Sequence, residues 1–187
     1  PVFIQLNEKS EALIATSNNL GIDLFKRLTA NAELSNSNSM ISPLSISLAL
    51  AMSYNGASGE TKTAIQNTLG LYNLSDNEIN INYKQLSDAL LNLDSKVDFF
   101  FFYSIWYRNT FSVFQDFIIA NEDFYNAEVN ALDFDDPNST NTINEWVYNS
   151  TNHKIDKIID EISSEMVMYI INAIYFKGSW KYEFNPS

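Results

Sequence analysis

The sequence predicts an α+β fold, formed by residues 1–187 as one domain or as a piece of one. Helical periodicity accounts for the first part of the chain, and helices and strands are mixed in the second part. They do not alternate as they do in a parallel α/β sheet, and no internal repeat or linker is present. An almost wholly apolar run, Met166–Phe176, has the pattern of a strand covered on both faces, although its periodicity also fits a buried helix.

The first predicted element is a long amphipathic helix, because apolar residues recur at helical spacing between Leu13 and Leu28. The polar stretch 31–39 ends this helix, and residues 40–41 fit a very short strand. The chain therefore begins with a helix that has one apolar face.

A second helix is predicted from Ser42, because serine is a favoured cap and Pro43 fits the first helical position. The residues up to Tyr54 are apolar on all sides of this helix, which predicts a position in the middle of the molecule. Two further helices are predicted at 61–69, ended by a glycine, and at 77–94, opened by a capping box.

Aromatic and β-branched residues mark the strands of the second part. Val97–Tyr107 is dense in Phe, Tyr and Trp, and 128–134 alternates between apolar and polar residues, so both are predicted to be strands. Helices are predicted at 114–125 and around Trp146, the latter ending near His153. The apolar run described above is the last strand.

Charge and composition restrict the classes of partner. The chain has 23 acidic and 11 basic residues, which give a formal net charge of −12. Nucleic acids, heparin-like polyanions and anionic membranes are recognised through clustered Lys and Arg, so we expect none of them as a partner. The absence of cysteine excludes thiolate metal sites, and no stretch of the sequence has the length of a membrane span.

The sequence gives little support to catalysis. His153 is the only histidine, and no Gly-x-Ser-x-Gly motif supplies a serine nucleophile for it. A helix end, where a cationic side chain suits the negative end of the helix dipole, explains this histidine better. Residues 133–138 resemble a calcium loop only faintly, because Pro137 occupies a ligand position and the required glycine is absent. Paired carboxylates have no sequence signature, but we predict neither an enzyme nor a cofactor.

One amide, Asn172, interrupts the apolar run. A buried amide is costly unless it is hydrogen-bonded, so Asn172 requires polar partners inside the core. Ser42 and Ser45 are the best candidates, because they begin the second apolar helix. A polar contact between a buried strand and a buried helix suggests a core that can part and close again.

Four segments match the motifs of a known family in their order along the chain. Residues 38–46 are Asn-Ser-Met-Ile-Ser-Pro-Leu-Ser-Ile, and residues 56–61 are Gly-Ala-Ser-Gly-Glu-Thr. Residues 143–147 are Ile-Asn-Glu-Trp-Val, and residues 172–180 are Asn-Ala-Ile-Tyr-Phe-Lys-Gly-Ser-Trp. These segments resemble the serpins, and the ordered matches extend from Asn19 to Phe184.

The resemblance implies that the chain is the N-terminal part of a serpin domain, ending before the reactive loop. It would then comprise the helical N-terminal portion of the domain and strands of the large central sheet A. In the family, the positions of Ser42, Pro43, Ser45 and Asn172 form the shutter, and that of Trp180 belongs to the breach. Both regions act in conformational change and not in catalysis. A purely stabilising role in the core is the alternative for these residues.

The function that the resemblance implies is inhibition of serine or cysteine proteases. The protease cleaves the exposed loop, and the loop then inserts into the sheet as a new strand. The implied partners are the target protease and the C-terminal remainder of the serpin, in the same or a separate chain. Secretion is the favoured location. A non-inhibitory serpin that acts as a carrier, chaperone or storage protein is the alternative.

The chain departs from the family's pattern in two places. His153 stands where the family usually has glycine, at a helix end that often requires a positive φ. Phe102 and Tyr103 replace the more usual Ala-Asn, which makes the first long strand more apolar. Polyanion regulation through the fourth helix is not expected, because Lys84 is the only basic residue of that helix.

Overall fold

The computed structural model describes residues 7–30, 38–92, 97–180 and 182, and it confirms the α+β class. The described elements, in chain order, are α1 Glu8–Thr29, α2 Pro43–Tyr54, α3 Gly59–Leu69, α4 Asp76–Leu91, β1 Val97–Arg108, α5 Gln115–Tyr125, β2 Glu128–Leu132, α6 Ser139–Ser150 and β3 Met168–Gly178.

The predicted helix boundaries that depend on capping are confirmed. The Ser42 side chain accepts a hydrogen bond from the backbone N–H of Ser45, and Pro43 is the first residue of α2. At the start of α4, Ser75 and Glu78 form a capping box. Gly70 ends α3 with φ +65°, a conformation that glycine adopts at little cost.

The three strands form one sheet in the order β2-β1-β3. β1 is parallel to β2 and antiparallel to β3, and the pairing with β3 runs from Val97↔Gly178 to Tyr107↔Met168. β3 therefore has one neighbour among the described residues, and its other edge is free.

The sheet separates two apolar clusters. On one face, Leu48 and Met52 of α2 are fully buried together with Ile105 of β1, which confirms the predicted central position of α2. On the other face, Trp106 packs with Ile143 of α6. Ile105 and Trp106 are adjacent in sequence, so the two clusters follow from the alternation of side chains along one strand.

Hydrogen bonds and an ion pair fasten the start of α4 to other helices. The Tyr54 hydroxyl donates to Asp76 Oδ1 at 2.9 Å, and Lys62 Nζ lies 2.6 Å from Asp76 Oδ2. Burial opposes ionisation of Asp76, but the bonds from Lys62 and Tyr54 outweigh it and lower the pKa of this carboxyl. The bonds from Lys9 of α1 and from Ser75 lower the pKa of Glu78 to about 2.

Three of the predicted strands need correction. β2 ends at Leu132 and not at residue 134, because its pairing with β1 ends at Arg108↔Leu132. Residues 40–41 form no strand, and Met40 is 94% exposed; a strand requires a neighbour, and no described strand pairs with these residues. β3 covers 168–178 and not 166–176, because its ends are set by its pairing with β1. Most of the stretch 31–39, together with Asp94 and Phe184, lies outside the described residues.

At the end of α6, the backbone has the positive φ angles that are expected where the family usually has glycine in place of His153. His153 adopts φ +60°, and Asn152 before it adopts φ +51°. The His153 N–H donates to the carbonyl of Tyr148 at 2.9 Å, and the two rings stack with centroids 4.4 Å apart. The stacked ring and the backbone bond offset part of the strain of a left-handed residue that is not glycine.

Candidate functional site

The predicted contact between β3 and α2 is present. The Ser45 hydroxyl donates to Asn172 Oδ1, and both side chains are half-buried. Ser42 is exposed and accepts a bond from the backbone N–H of Ser45 at 3.3 Å, so it holds the turn that carries Ser45. Pro43 packs against Gly21 of α1, where a Cβ would clash with its ring. The direct partner of Asn172 is therefore Ser45 and not Ser42.

The other half of the Asn172 amide is unsatisfied. Its Nδ2 is buried and finds no acceptor among the described residues. Asn172 lies opposite Tyr103 in the β1–β3 pairing, and burial raises the pKa of the Tyr103 phenol. Burial thus opposes ionisation of the phenol that lies opposite Asn172 in the sheet.

A cavity of about 310 Å³ follows the free edge of β3. Ile170 packs with the α2 cluster, whereas Tyr169 and Ile171 pack with the α6 cluster. Side chains from both faces of β3 line this one cavity, so it lies beside the strand and not above either face. Ser45 and Asn172 are also in its wall.

The wall of the cavity is mostly apolar. Tyr169 is its one ionisable residue, and burial raises the pKa of this phenol. The remaining lining is apolar apart from Ser45 and Asn172. A strand laid along this edge would pair its backbone with β3 and bury alternate side chains on the two faces.

The structure does not bring Trp180 together with Asn172. Trp180 is 73% exposed and lies two residues beyond the end of β3, eight residues along the chain from Asn172. Asn172 therefore lies within β3, whereas Trp180 lies beyond its end.

Two contacts near the cavity were not predicted from the sequence. Asn144 of α6 and Arg108 of β1 each bind backbone groups of the segment that joins α6 to β3. One sequence feature could have indicated Asn144: it is an amide at the border of the apolar side of an amphipathic helix, the side formed by Ile143 and Val147. Its partners are 14 and 15 residues away, and no periodicity indicates them.

Comparison with known proteins identifies the family. A family model described as "Serpin (serine protease inhibitor)" matches residues 15–187. This chain belongs to the serpin family. Human (Homo sapiens) neuroserpin is 33% identical over 170 residues, which cover 89% of the chain and 41% of that serpin. Corticosteroid-binding globulin from Oryctolagus cuniculus is 30% identical, with 87% of the chain and 43% of that protein covered.

A solved serpin has the same fold as this chain. Tengpin, a thermophilic serpin crystallised in the latent state, has a TM-score of 0.85 and 34% identity, and the match covers 97% of this chain and 47% of tengpin. The chain thus spans less than half the length of each of these three proteins. The fold class and the predicted family are confirmed. Within the described residues, no helix combines the length and the apolar character that a membrane span requires.

Proposed function

We propose that the protein is a serpin-type inhibitor of serine or cysteine proteases, and that residues 1–187 form the N-terminal part of its single domain. The cavity along the free edge of β3 supports this function best, because it lies between α2 and the segment that joins α6 to β3 and is bordered by four consecutive residues of β3. A cleaved loop that enters it would gain ladder hydrogen bonds with β3 and bury apolar side chains on both faces. That gain of free energy could drive the trapping of an acyl-enzyme.

In this proposal, Ser42, Pro43, Ser45 and Asn172 act as the shutter. Ser45 and Asn172 join α2 to the strand at which the sheet must open, and the buried Asn172 Nδ2 lacks an acceptor in this part of the chain. A buried donor is costly when unpaired, so we expect the C-terminal remainder to supply the acceptor. Trp180 would act at the end of β3 as part of the breach.

A carrier function is the second candidate. It is favoured by the relative whose name states that it binds corticosteroids, which is a serpin of similar identity to this chain. The fold is common to both candidates, so the described residues do not separate them. The difference lies in whether loop cleavage is followed by strand insertion.

Polyanions, nucleic acids and membranes are not among the partners we propose. Lys84, the one basic residue of α4, donates to the backbone carbonyl of Asp123 at 3.0 Å, which leaves α4 without a basic cluster. The expected partners are the C-terminal remainder of the serpin and a target protease.

The test uses the full-length protein and a panel of serine and cysteine proteases. An inhibitor should form a complex with one of them that survives denaturation in detergent, because insertion traps the acyl bond. The same protease with its nucleophile chemically blocked is the control and should give no complex. Cleavage of the loop without a stable complex, and without a rise in melting temperature, would favour the carrier.

A further inference from the structure

Asn55 and Gly56, at the end of α2, are the one Asn-Gly pair in the sequence. The backbone nitrogen that follows an asparagine can attack the side-chain amide, and glycine hinders this attack least because it has no side chain. The Gly56 nitrogen then bonds to Asn55 Cγ, and Nδ2 leaves as ammonia together with the proton that the Gly56 nitrogen has lost. Water opens the resulting five-membered succinimide to aspartate, or to isoaspartate, in which the backbone runs through the former side chain.

Packing requires glycine at position 56. A Cβ on Gly56 would lie 2.8 Å from Cδ2 of the Phe117 ring, which is closer than packed atoms approach one another. Phe117 of α5 is buried in the core, so its ring cannot move far to make room. For reasons of packing, the chain therefore keeps the neighbour that makes Asn55 most reactive.

The folded backbone keeps Asn55 out of the reactive geometry. Asn55 has helical angles, φ −63° and ψ −25°. Ring closure requires Cβ, Cα, the carbonyl carbon and the next nitrogen to lie nearly in one plane, and a helical ψ turns that nitrogen out of the plane. The Gly56 N–H is also engaged, since it donates to the Ser53 carbonyl at 3.1 Å. The end of α2 must therefore unwind before the nitrogen reaches Cγ.

A second amide holds the Asn55 side chain. Asn80 of α4 donates from Nδ2 to Asn55 Oδ1 at 2.9 Å, and Asn55 Nδ2 donates to Asn80 Oδ1 at 3.2 Å. Asn80 is only 4% exposed, and its Oδ1 also accepts from the Tyr125 hydroxyl at 2.9 Å. Both halves of the Asn55 amide are thus bound by a partner that is fixed in the core. This pair restrains the side-chain rotation that would bring Cγ toward the Gly56 nitrogen.

We propose that Asn55 is a deamidation site, and that its pairing with Asn80 protects it in the folded protein. The reaction proceeds when the end of α2 separates from α4, and the loss of ammonia makes it irreversible. The product has no donor at position 55, so a carboxylate oxygen would face Asn80 Oδ1 without a hydrogen between them. Each converted molecule is therefore less able to close this end of α2. The inference holds for an inhibitor and for a carrier alike.

The experiment incubates the full-length protein at mildly alkaline pH, with and without guanidinium chloride. Peptide mapping by mass spectrometry measures the rate at which the peptide that contains Asn55 exchanges an amide for a carboxyl group. Asn80→Ala removes the partner of Asn55. Asn77→Ala changes an exposed amide of the same helix and is the control. Tyr125→Phe removes the third bond to Asn80 but leaves the amide pair in place.

Asn55 of the wild type should react roughly a hundredfold more slowly in the folded protein than in denaturant, because two side-chain bonds and the helical turn must be lost first. Asn80→Ala should raise the rate in the folded protein by roughly tenfold. Asn77→Ala should match the wild type. Tyr125→Phe should stay near the wild type although it loses a buried hydrogen bond, and it thereby separates loss of the pair from loss of stability.

Equal rates at Asn55 in the folded and the unfolded wild type would overturn the proposal. An unchanged rate in folded Asn80→Ala, or equal rates in Asn80→Ala and Tyr125→Phe, would overturn the role of the pair. If the alanine variant does not fold, Asn80→Asp replaces it, because a carboxylate accepts from Asn55 but cannot donate to it. This variant should also react faster than the wild type, and an unchanged rate would again overturn the role of the pair.

Discussion

At Asn172, one half of an amide is paired and the other half is not. Oδ1 accepts the Ser45 hydroxyl, whereas Nδ2 is buried without an acceptor in the described part of the chain. Buried polar groups in proteins are nearly always paired, so we expect the acceptor for this N–H group to lie outside the described residues. The contact with Ser45 is the part of this arrangement that can be measured directly.

A double-mutant cycle in the full-length protein tests the Ser45–Asn172 bond. Asn172→Ala and Ser45→Ala should each lower the free energy of unfolding by about 1–3 kcal/mol, because each leaves its half-buried partner unpaired. The double variant should lose less than the sum of the two, with a coupling energy of about 0.5–3 kcal/mol. Denaturant titration at pH 7 provides the measurement. Additive losses would show that the two side chains do not interact.

The elements themselves could largely be predicted from the sequence, because amphipathic periodicity and caps act within a few residues of each other. The start of α2 at Pro43 is an example, fixed by a serine cap and a proline. β3 could be located only to within two residues, since its ends are set by pairing with β1, which is far away in sequence. The contact of Asn172 with Ser45 was predictable because a buried amide requires a partner. The bonds of Asn144 were not predictable, because they depend on where the segment that joins α6 to β3 folds back.

The start of α4 should respond to acid. Asp76 and Glu78 both have a lowered pKa in the folded state, so each binds its proton less readily there than in the unfolded chain. Their contribution to stability is present above the unfolded pKa of Glu78, 4.5, and it is lost as the pH falls toward the folded value of about 2. The combined variant Asp76→Asn, Glu78→Gln should therefore be less stable than wild type at pH 7 and approach it near pH 2.

Urea titrations of the full-length protein at several pH values between 7 and 2 measure this convergence. A constant difference between the combined variant and wild type over that range would contradict the roles given to these two carboxylates.

In the molecule as a whole, the sheet has exposed apolar side chains on β1 and β3 in addition to the free edge of β3. Phe176 is 65% exposed and Phe100 on β1 is 47% exposed, near the same end of the sheet. Unpaired strand edges with apolar side chains associate with other chains. Neuroserpin and corticosteroid-binding globulin are each more than twice as long as the region that matches this chain. In the serpin that we propose, the C-terminal remainder would cover these surfaces.

Residues 1–187 produced alone should therefore self-associate, and co-expression with the C-terminal remainder should convert them into a one-to-one complex. Sedimentation velocity distinguishes the two states. A monodisperse monomer of residues 1–187 that unfolds cooperatively would contradict this expectation.

The pairing of β3 with β1 also sets the length of β3, and with it the distance over which an added segment can pair along its free edge. β3 has 11 residues, and at about 3.3 Å per residue it measures about 36 Å. A segment that pairs with the whole of this edge must travel that distance along the molecule, together with anything bound to its leading end. If an enzyme is bound there, the length of one strand determines how far the enzyme is carried from the place where it made its cut.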